Sequence, residues 1–429
     1  MKRIISTVSV GILLLGQTGQ TVWASGPGTT GADILRIGVG ARAIAMGEAY
    51  VAQSDDVSSL YWNPGGLALM QERQASFMYS KQLQGLSYQN AGIGIPLENG
   101  AIGGSVSYMG YGQIDGYTDQ GVPTGDQKAN STVGTVGGSW LGNEWSLGAN
   151  VKGIQETLAD EKASAFAFDV GGTVIYPKPV MGGTLRLGAV VQNMGSGIKF
   201  LQQTDPLPTQ WKVGLAAVQL MDRKLNLSFD VGNPRDDSST YQGGLEYWLV
   251  PFLALRTGYA MNHQEGQGLR AGMGIRYKNI SFDYAYAGYG ELGITHRYEL
   301  SFRFGEPRPI LNSEEQKILK EAKAAMRQGR YEQAVLLFDS LIRMEPRYRK
   351  AQRLEKLAMG KMEGQQRDML AKQGTTYQPT AANTAQKPAL SDMDDLEQLL
   401  SITQPKSAQA PTPAPAAGTT PSDSKTEVK

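Results

Sequence analysis

A two-residue alternation, repeated across the middle of the chain, most constrains what it can fold into. Between Gln74 and Phe304 lie about fourteen segments of roughly 9 to 12 residues, the length and period of a membrane-crossing β-strand. Trp145, Leu147, Ala149 and Val151 alternate with Ser146, Gly148, Asn150 and Lys152; Ile280, Phe282, Tyr284 and Tyr286 oppose Ser281 and Asp283. The last such segment, His296 to Phe304, sets Tyr298, Leu300, Phe302 and Phe304 against Arg297, Glu299, Ser301 and Arg303.

Successive side chains of a strand point to opposite faces, so the phase of the charges reports what each face meets. In the last ten segments Lys152, Asp169, Arg186, Lys212, Asp230, Glu246, Arg256, Arg270, Arg276, Asp283, Arg297, Glu299 and Arg303 all fall opposite the large apolar residues. A soluble sandwich, apolar inside and polar outside, has the same alternation. Three features favour a barrel turned inside out. These are the number of segments, the aromatics near segment ends (Trp145, Tyr176, Trp211, Tyr259, Tyr277) and a Gly-rich polar face suited to a crowded lumen. The expected fold is therefore all-β, a transmembrane barrel of about 14 antiparallel strands over 74–304. Its lumen charges, with Arg186, Arg256, Arg270, Asp169, Glu246 and Asp283 as candidates, either line a polar path or serve as cross-barrel pairs and hatch anchors. The second role is favoured because a small filled barrel must pair its buried charges.

Composition narrows the chemistry. With Cys 0 there is no disulfide framework, thiol nucleophile or Cys-based metal site, and a net charge of +1 gives no bulk reason to expect nucleic acid. Lys2 and Arg3, the apolar run Ile4 to Leu15 and Val22-Trp23-Ala24 make residues 1–24 a secretory signal. His263 and His296 are the two histidines, without His or Cys company at ligand spacing, so neither metal nor histidine triad is expected. Asp55-Asp56 and Asp236-Asp237 read as solvated acids rather than calcium ligands, and Gly38-Val39-Gly40 lacks the βαβ context of a dinucleotide site. No catalytic residue, cofactor or metal is predicted.

Ahead of the strands, Ala41-Arg42-Ala43-Ile44-Ala45-Met46-Gly47-Glu48-Ala49 leads into Asp55-Asp56-Val57-Ser58-Ser59-Leu60-Tyr61-Trp62-Asn63-Pro64-Gly65-Gly66-Leu67. With the barrel pattern behind it, this stretch resembles the opening of the FadL superfamily of outer-membrane proteins, and within it the PorV/PorQ-like branch. The resemblance implies that residues 25–73 form a hatch inside the barrel. Members of that family carry hydrophobic small molecules, whereas PorV-like members serve type IX secretion as partners of exported proteins. Asn63, Pro64, Gly65 and Gly66 have turn chemistry, with Pro fixing φ and glycine permitting positive φ, and are the candidate gate. Ala41, Ala43, Met46 and Gly47 are candidate packing positions, the small residues from Ala41 to Ala52 suiting a helix held close to the wall. Gly65 stands where the family usually has Ala, which would loosen the turn. The inward phase, rich in Gly, Ser, Asn, Arg and Asp, is not the continuous apolar surface expected of a fatty-acid canal.

Glycine is abundant up to Phe304; beyond it come only Gly305, Gly329, Gly360, Gly364, Gly374 and Gly418. Residues 305–312 are a Pro-punctuated linker, and 313–346 read as a helix-turn-helix of tetratricopeptide type, turning at Gly329-Arg330-Tyr331, with 347–372 as a capping helix. Tyr331, Ala334, Phe338 and Pro346 mark a candidate partner surface, because one such unit cannot bury its apolar face alone. Basic Arg347, Arg349, Lys350, Arg353 and Lys356 read as a solvated face or as contact with an acidic partner or anionic lipid. Residues 373–429 have the composition of a disordered tail, with a candidate partner-binding helix at 391–402. The expected location is the outer membrane of a Gram-negative bacterium with the extension periplasmic. The expected partners are membrane lipid, the outer-membrane barrel assembly machinery that reads the Tyr-x-Leu-x-Phe-x-Phe ending, a hydrophobic small molecule, and a periplasmic or secretion-system protein bound through 313–372 and 391–402.

Overall fold

A computed structural model of the chain describes residues 26, 28–82, 85–112, 114–117, 120–159, 161–261, 268–308, 311, 313–346 and 348–372. The signal segment, His263, Arg347 and the tail with its candidate helix 391–402 lie outside them.

The alternating segments form fourteen barrel strands: β1 (Arg73–Lys81), β2 (Ser87–Leu97), β3 (Gly100–Gly110), β4 (Ala129–Leu141), β5 (Trp145–Leu158), β6 (Glu161–Ile175), β7 (Thr184–Gly195), β8 (Gln210–Gln219), β9 (Leu225–Pro234), β10 (Thr240–Val250), β11 (Leu253–Met261), β12 (Gly268–Tyr277), β13 (Ile280–Gly288) and β14 (Ile294–Phe304). Each pairs antiparallel with its neighbours in sequence, and β1 closes on β14 with Phe77 opposite Leu300 and Tyr79 opposite Tyr298. Closure leaves no edge strand, so every ladder has a partner, the condition for a β-structure in lipid. Among the described residues no helix is long and apolar enough to cross a membrane.

The phase of the side chains is that of an inverted barrel. Phe166 (64% exposed), Leu147, Phe168, Val170, Leu215, Phe229 and Phe282 point outward, as do Trp145, Tyr176, Trp211, Tyr259 and Tyr277 near strand ends. The alternate positions Asn150, Lys152, Asp169, Asp230, Glu246, Arg256 and Arg297 are buried in the lumen. Arg276 and Arg303 share that phase but lie at the mouth. An apolar outside with buried charges inside is stable only if the outside solvent is hydrocarbon.

One end of the barrel, the terminal end, carries the start of β1 and the finish of β14. Its turns are mostly short, such as 98–99, 251–252 and 278–279. Longer connections cluster at the opposite, loop end. One holds a hairpin of Ile114–Tyr117 with Pro123–Gln127, another a hairpin of Ile198–Phe200 with Gln203–Asp205.

Residues 28–72 thread the lumen from the loop end to the terminal end. Gly31 donates its N–H to Pro206 O in a loop-end connection, and Arg308, just past β14, donates its N–H to Gln71 O at the other end. Two short helices, α1 (Ala41–Ala45) and α2 (Ser59–Trp62), and a 3-10 turn (Pro64–Leu69) are the regular parts of this hatch. The helix expected from Ala41 to Ala52 stops at Ala45. Gly47 and Glu48 turn left-handed, at φ 68° and 67°, and the N–H groups of Tyr50 and Val51 go to the wall instead of to a further helical turn.

After the barrel come α3 (Ser313–Arg327), α4 (Tyr331–Met344) and α5 (Arg349–Lys372). Gly329, at φ 71°, ends the first turn of chain direction where the sequence places it. Helices α3 and α4 pack through Ala322, Ala325, Ala334, Phe338 and Leu341, all buried. Ala334 and Phe338 therefore form the core of the helix pair and not a partner surface, because the two helices satisfy each other's apolar stripes. Pro346 is exposed and Tyr331 half-buried.

Candidate functional site

The hatch is held by side chains from many strands, each meeting a polar group that the hatch cannot satisfy itself. Arg42, on α1, is the hub. Its Nε and Nη2 donate to the two carboxylate oxygens of Glu246 on β10 at 2.9 Å each. Its Nη1 donates to Asp55 at 2.7 Å and to the Tyr50 hydroxyl at 2.8 Å. Glu246 is shared: Arg256, directly opposite on β11, donates to it at 2.7 Å and to Asp283 on β13 at 2.6 Å. The result is a chain of alternating charge from hatch to wall, with Glu246 and Arg256 buried. Removing one member of such a buried set costs about 3–5 kcal/mol, since the remaining charge has no water to turn to.

Backbone groups are held as well. Asp230 on β9 accepts from the N–H groups of Tyr50 and Val51 at 2.7 and 2.8 Å, and Glu299 on β14 accepts from Ala41 N–H at 2.7 Å, at the start of α1. Arg297 donates to Gly38 O at 2.5 Å and Asn150 to Leu60 O at 2.6 Å. Lys152 pairs with Asp169 at 2.7 Å and Arg270 with Glu48 at 3.3 Å. Thus Arg256, Arg270, Asp169, Glu246 and Asp283 sit in ion pairs. Arg186 stands apart: buried, with its Nε and Nη1 lacking a hydrogen bond and its nearest carboxylate, Asp55, at 3.8 Å.

The Asp pairs are not solvated acids. Asp55 is tied to Arg42, and Asp56 accepts from the Tyr50 hydroxyl at 2.6 Å and from Ser58. Asp236, in the β9–β10 connection, accepts from Thr30 at 2.8 Å and from Arg36. Those bonds outweigh its partial burial and hold its carboxyl below the usual range. Asp55, Asp56 and Asp236 thus serve the hatch, because a segment crossing a lumen has partners on every side.

Asn63, Pro64, Gly65 and Gly66 do not form a positive-φ turn. Asn63 caps a 3-10 turn, its Oδ1 accepting from Gly65 N–H at 3.0 Å, with Pro64 in the first position where its missing N–H costs nothing. The Asn63 amide also donates to Val51 O at 2.8 Å and to Gly172 O on β6 at 3.1 Å. The glycines are needed for approach: a Cβ on Gly65 would lie 2.7 Å from the Cα of Gly172. Gly65 is thus a tight contact rather than a loosened turn. On the other side Gly47 lies against Gly243 and Gly258, where a Cβ would meet Gly243 O at 2.5 Å. Ala41, Ala43 and Met46 are fully buried beside Ala285 and Ala287 of β13.

The lumen is not polar throughout. Toward the loop end, Ile34 and Leu35 of the hatch pack with inward Met78, Tyr88, Met109, Val133, Ile154, Ala163, Ala165 and Ala167, and with Ile198 and Leu207 above. The space left there, between Ile34, Leu35, Val39, Tyr61, Tyr88 and Val133, is about 20 Å³, enough for a water. Beside Lys212, Gln242 and Glu48 a second gap holds about 30 Å³. Below the Arg42 hub the lumen widens to a vestibule of about 770 Å³ at the terminal end, lined by Arg186, Arg223, Lys224, Arg276 and Arg303 with Leu69 and Val218. The same space is also lined by Asp55, Asp56, Glu72, Asp222 and Glu246, so an apolar layer, an ion-paired middle and a mouth of mixed charge follow one another along the axis.

These features define a plugged, closed, fourteen-stranded transmembrane barrel. No family model matches the chain, and no curated protein does. Among solved structures it is similar to the toluene transporter TbuX of Ralstonia pickettii, at 16% identity and a TM-score of 0.46, covering 62% of this chain and 99% of that one. The Pseudomonas putida toluene transporter TodX aligns at 12% identity and 0.43, covering 62% and 96%. A Pseudomonas aeruginosa FadL homologue aligns at 12% and 0.39, covering 62% and 98%.

Proposed function

We propose that the chain is an outer-membrane transport protein of FadL type, passing small hydrophobic molecules through a barrel gated by the hatch. The apolar layer at the loop end carries this reading. A plug that only sealed a polar lumen would need polar contacts all round, whereas Ile34, Leu35, Met78, Tyr88, Met109 and Val133 make the contact between hatch and wall there apolar. The gaps of about 20 and 30 Å³ between hatch and wall above the vestibule are too small for a solute, so on this reading passage requires the hatch to shift. On this reading the short turns of the terminal end face the periplasm and the longer connections the exterior, and the C-terminal helices would then lie on the periplasmic side.

The test is uptake of a lipophilic fluorescent probe by liposomes containing the purified protein. Faster uptake than by protein-free liposomes supports transport, and a Pro64→Ala variant should change the rate because Pro64 holds the hatch turn. An unchanged probe rate with correctly folded protein rejects it.

A second reading, an interaction protein similar to PorV that tethers secreted cargo, draws on the helical extension, where Leu336 is 70% exposed and Met344 and Met359 are also exposed. Affinity capture from the envelope should then return secretion components, and deletion of 311–372 should abolish the capture.

A further inference from the structure

Where the extension meets the barrel rim, the chain builds a second cavity that the hatch and lumen do not use. It measures about 510 Å³ and lies between the β2–β3 turn, the end of β4, the linker and the first turns of α3 and α5. That is the size of a pocket for a small organic ligand. One wall is apolar: Pro96, Leu97, Leu141, Leu311 and Leu319. The other is cationic, from Lys320, Lys323, Arg349 and Lys350. The carboxylates bordering it are Glu98 and Glu306. Glu98 takes both Lys323 and Lys350, the latter at 3.3 Å, and Glu306 takes Arg353. Arg308 forms part of the floor, and its guanidinium is committed to the carbonyls of Leu97, Gly100, Ala68 and Met70. The cavity therefore keeps an excess of positive charge over its two carboxylates.

Its position decides what would fill it. Leu97 lines the cavity and is also the last of the outward, lipid-facing residues of β2, 47% exposed. Leu97 stands opposite Gly100 on β3, and Gly100 stands opposite Trp140 on β4, 59% exposed on the outer wall, with Trp145 just beyond on the next strand. Outward tryptophans at a strand end mark the border of the hydrocarbon. The cavity thus continues the lipid-facing surface of the barrel at the level of the headgroups, with hydrocarbon walls toward the membrane and ammonium groups on the helix side.

We propose that this cavity binds one anionic glycerophospholipid of the adjoining leaflet. The phosphate lies among Lys320, Lys323 and Lys350, and the acyl chains pass over Leu97 onto the barrel wall. The extension is then seated on the rim partly through lipid. This does not depend on the transport reading.

The experiment uses the full chain, purified in a neutral detergent and titrated with phosphatidylglycerol or phosphatidylcholine, bound lipid being counted by native mass spectrometry. Phosphatidylglycerol should be retained at least about tenfold more strongly than phosphatidylcholine, and the Lys320→Gln/Lys323→Gln/Lys350→Gln variant should lose about that factor, since each lysine near an anionic headgroup contributes favourably. Glycerol 3-phosphate, a headgroup without chains, should not displace the lipid. Equal retention of the two lipids by the unaltered protein overturns the proposal, and that comparison stands even if the triple variant fails to fold. A folded triple variant that holds phosphatidylglycerol unchanged also overturns it. Displacement by glycerol 3-phosphate would mark a free-phosphate site, and displacement by polyglutamate an acidic protein segment.

Discussion

Glu246 accepts from a hatch arginine and a wall arginine at once, which makes it the residue whose loss should separate fixing the hatch from building the barrel. Glu246→Gln leaves the buried Arg256 and the half-buried Arg42 without their shared carboxylate, a cost of about 3–5 kcal/mol. The fourteen-strand ladder needs neither side chain. The expected result is an unaltered heat-modifiable band on gels with faster uptake of a lipophilic probe in liposomes; slow uptake with an intact barrel would show that the ion pairs do not hold the gate. Gly65→Ala tests the opposite kind of constraint. Its new methyl would press on Gly172 at 2.7 Å, so a loss of about 1–3 kcal/mol in stability, read as a lowered thermal midpoint, is expected. Single residues were where the sequence was least readable. Arg42 and Glu246 are 204 positions apart, and nothing in their spacing announces the pair. Asp55, Asp56 and Asp236 carried only the signature of adjacent acids, which solvent satisfies as readily as a hatch does.

At the scale of elements, alternation identified the strands because lipid and lumen impose opposite demands on neighbouring side chains. It was weakest in β1 to β4. There the inward rows, Met78 with Ser80, Tyr88 with Asn90, Met109 with Ser107 and Val133 with Ser131, mix apolar and polar residues and carry no charge to mark the phase. The apolar layer of the lumen was hidden for that reason. The helices were legible from Gly329 and the Ala and Leu spacing, but their seat on the rim was not. That seat should depend on pH through Glu98. Burial alone would raise its carboxyl, but Lys323 and Lys350 outweigh this and hold it below its ordinary 4.5. The ionised form is therefore favoured by docking, so the contribution is complete above pH 4.5 and is lost as pH falls through the lowered value. Hydrogen exchange of residues 313–327 should be flat from pH 7 to 5 once corrected for intrinsic rates, then rise on further acidification. A rise already at pH 6 would point to another group.

For the whole molecule, the decisive question is which solvent the outer wall meets. The outward row Leu147, Phe166, Phe168 and Val170 would be a severe exposed apolar patch in water, and the same row is what a bilayer requires. In β5 and β6 this makes a sharp contrast possible between two positions on adjacent strands. Phe166 faces outward in the middle of β6, while Ser146, on β5, faces inward and is buried near the terminal end. Phe166→Arg should cost about 2–4 kcal/mol in folding into lipid vesicles, the depth-dependent penalty for a cation on the lipid face. If the outer wall met water instead, the same substitution at an exposed position would cost almost nothing. Ser146→Ala, which removes one inward hydroxyl without a hydrogen bond, should leave folding into vesicles nearly unchanged. The measurement is the fraction of heat-modifiable protein after refolding into vesicles across a urea series. If Phe166→Arg folds as well as the unaltered chain, the row does not face hydrocarbon, and the hatch, the vestibule and the rim cavity lose the membrane frame that gives each of them meaning.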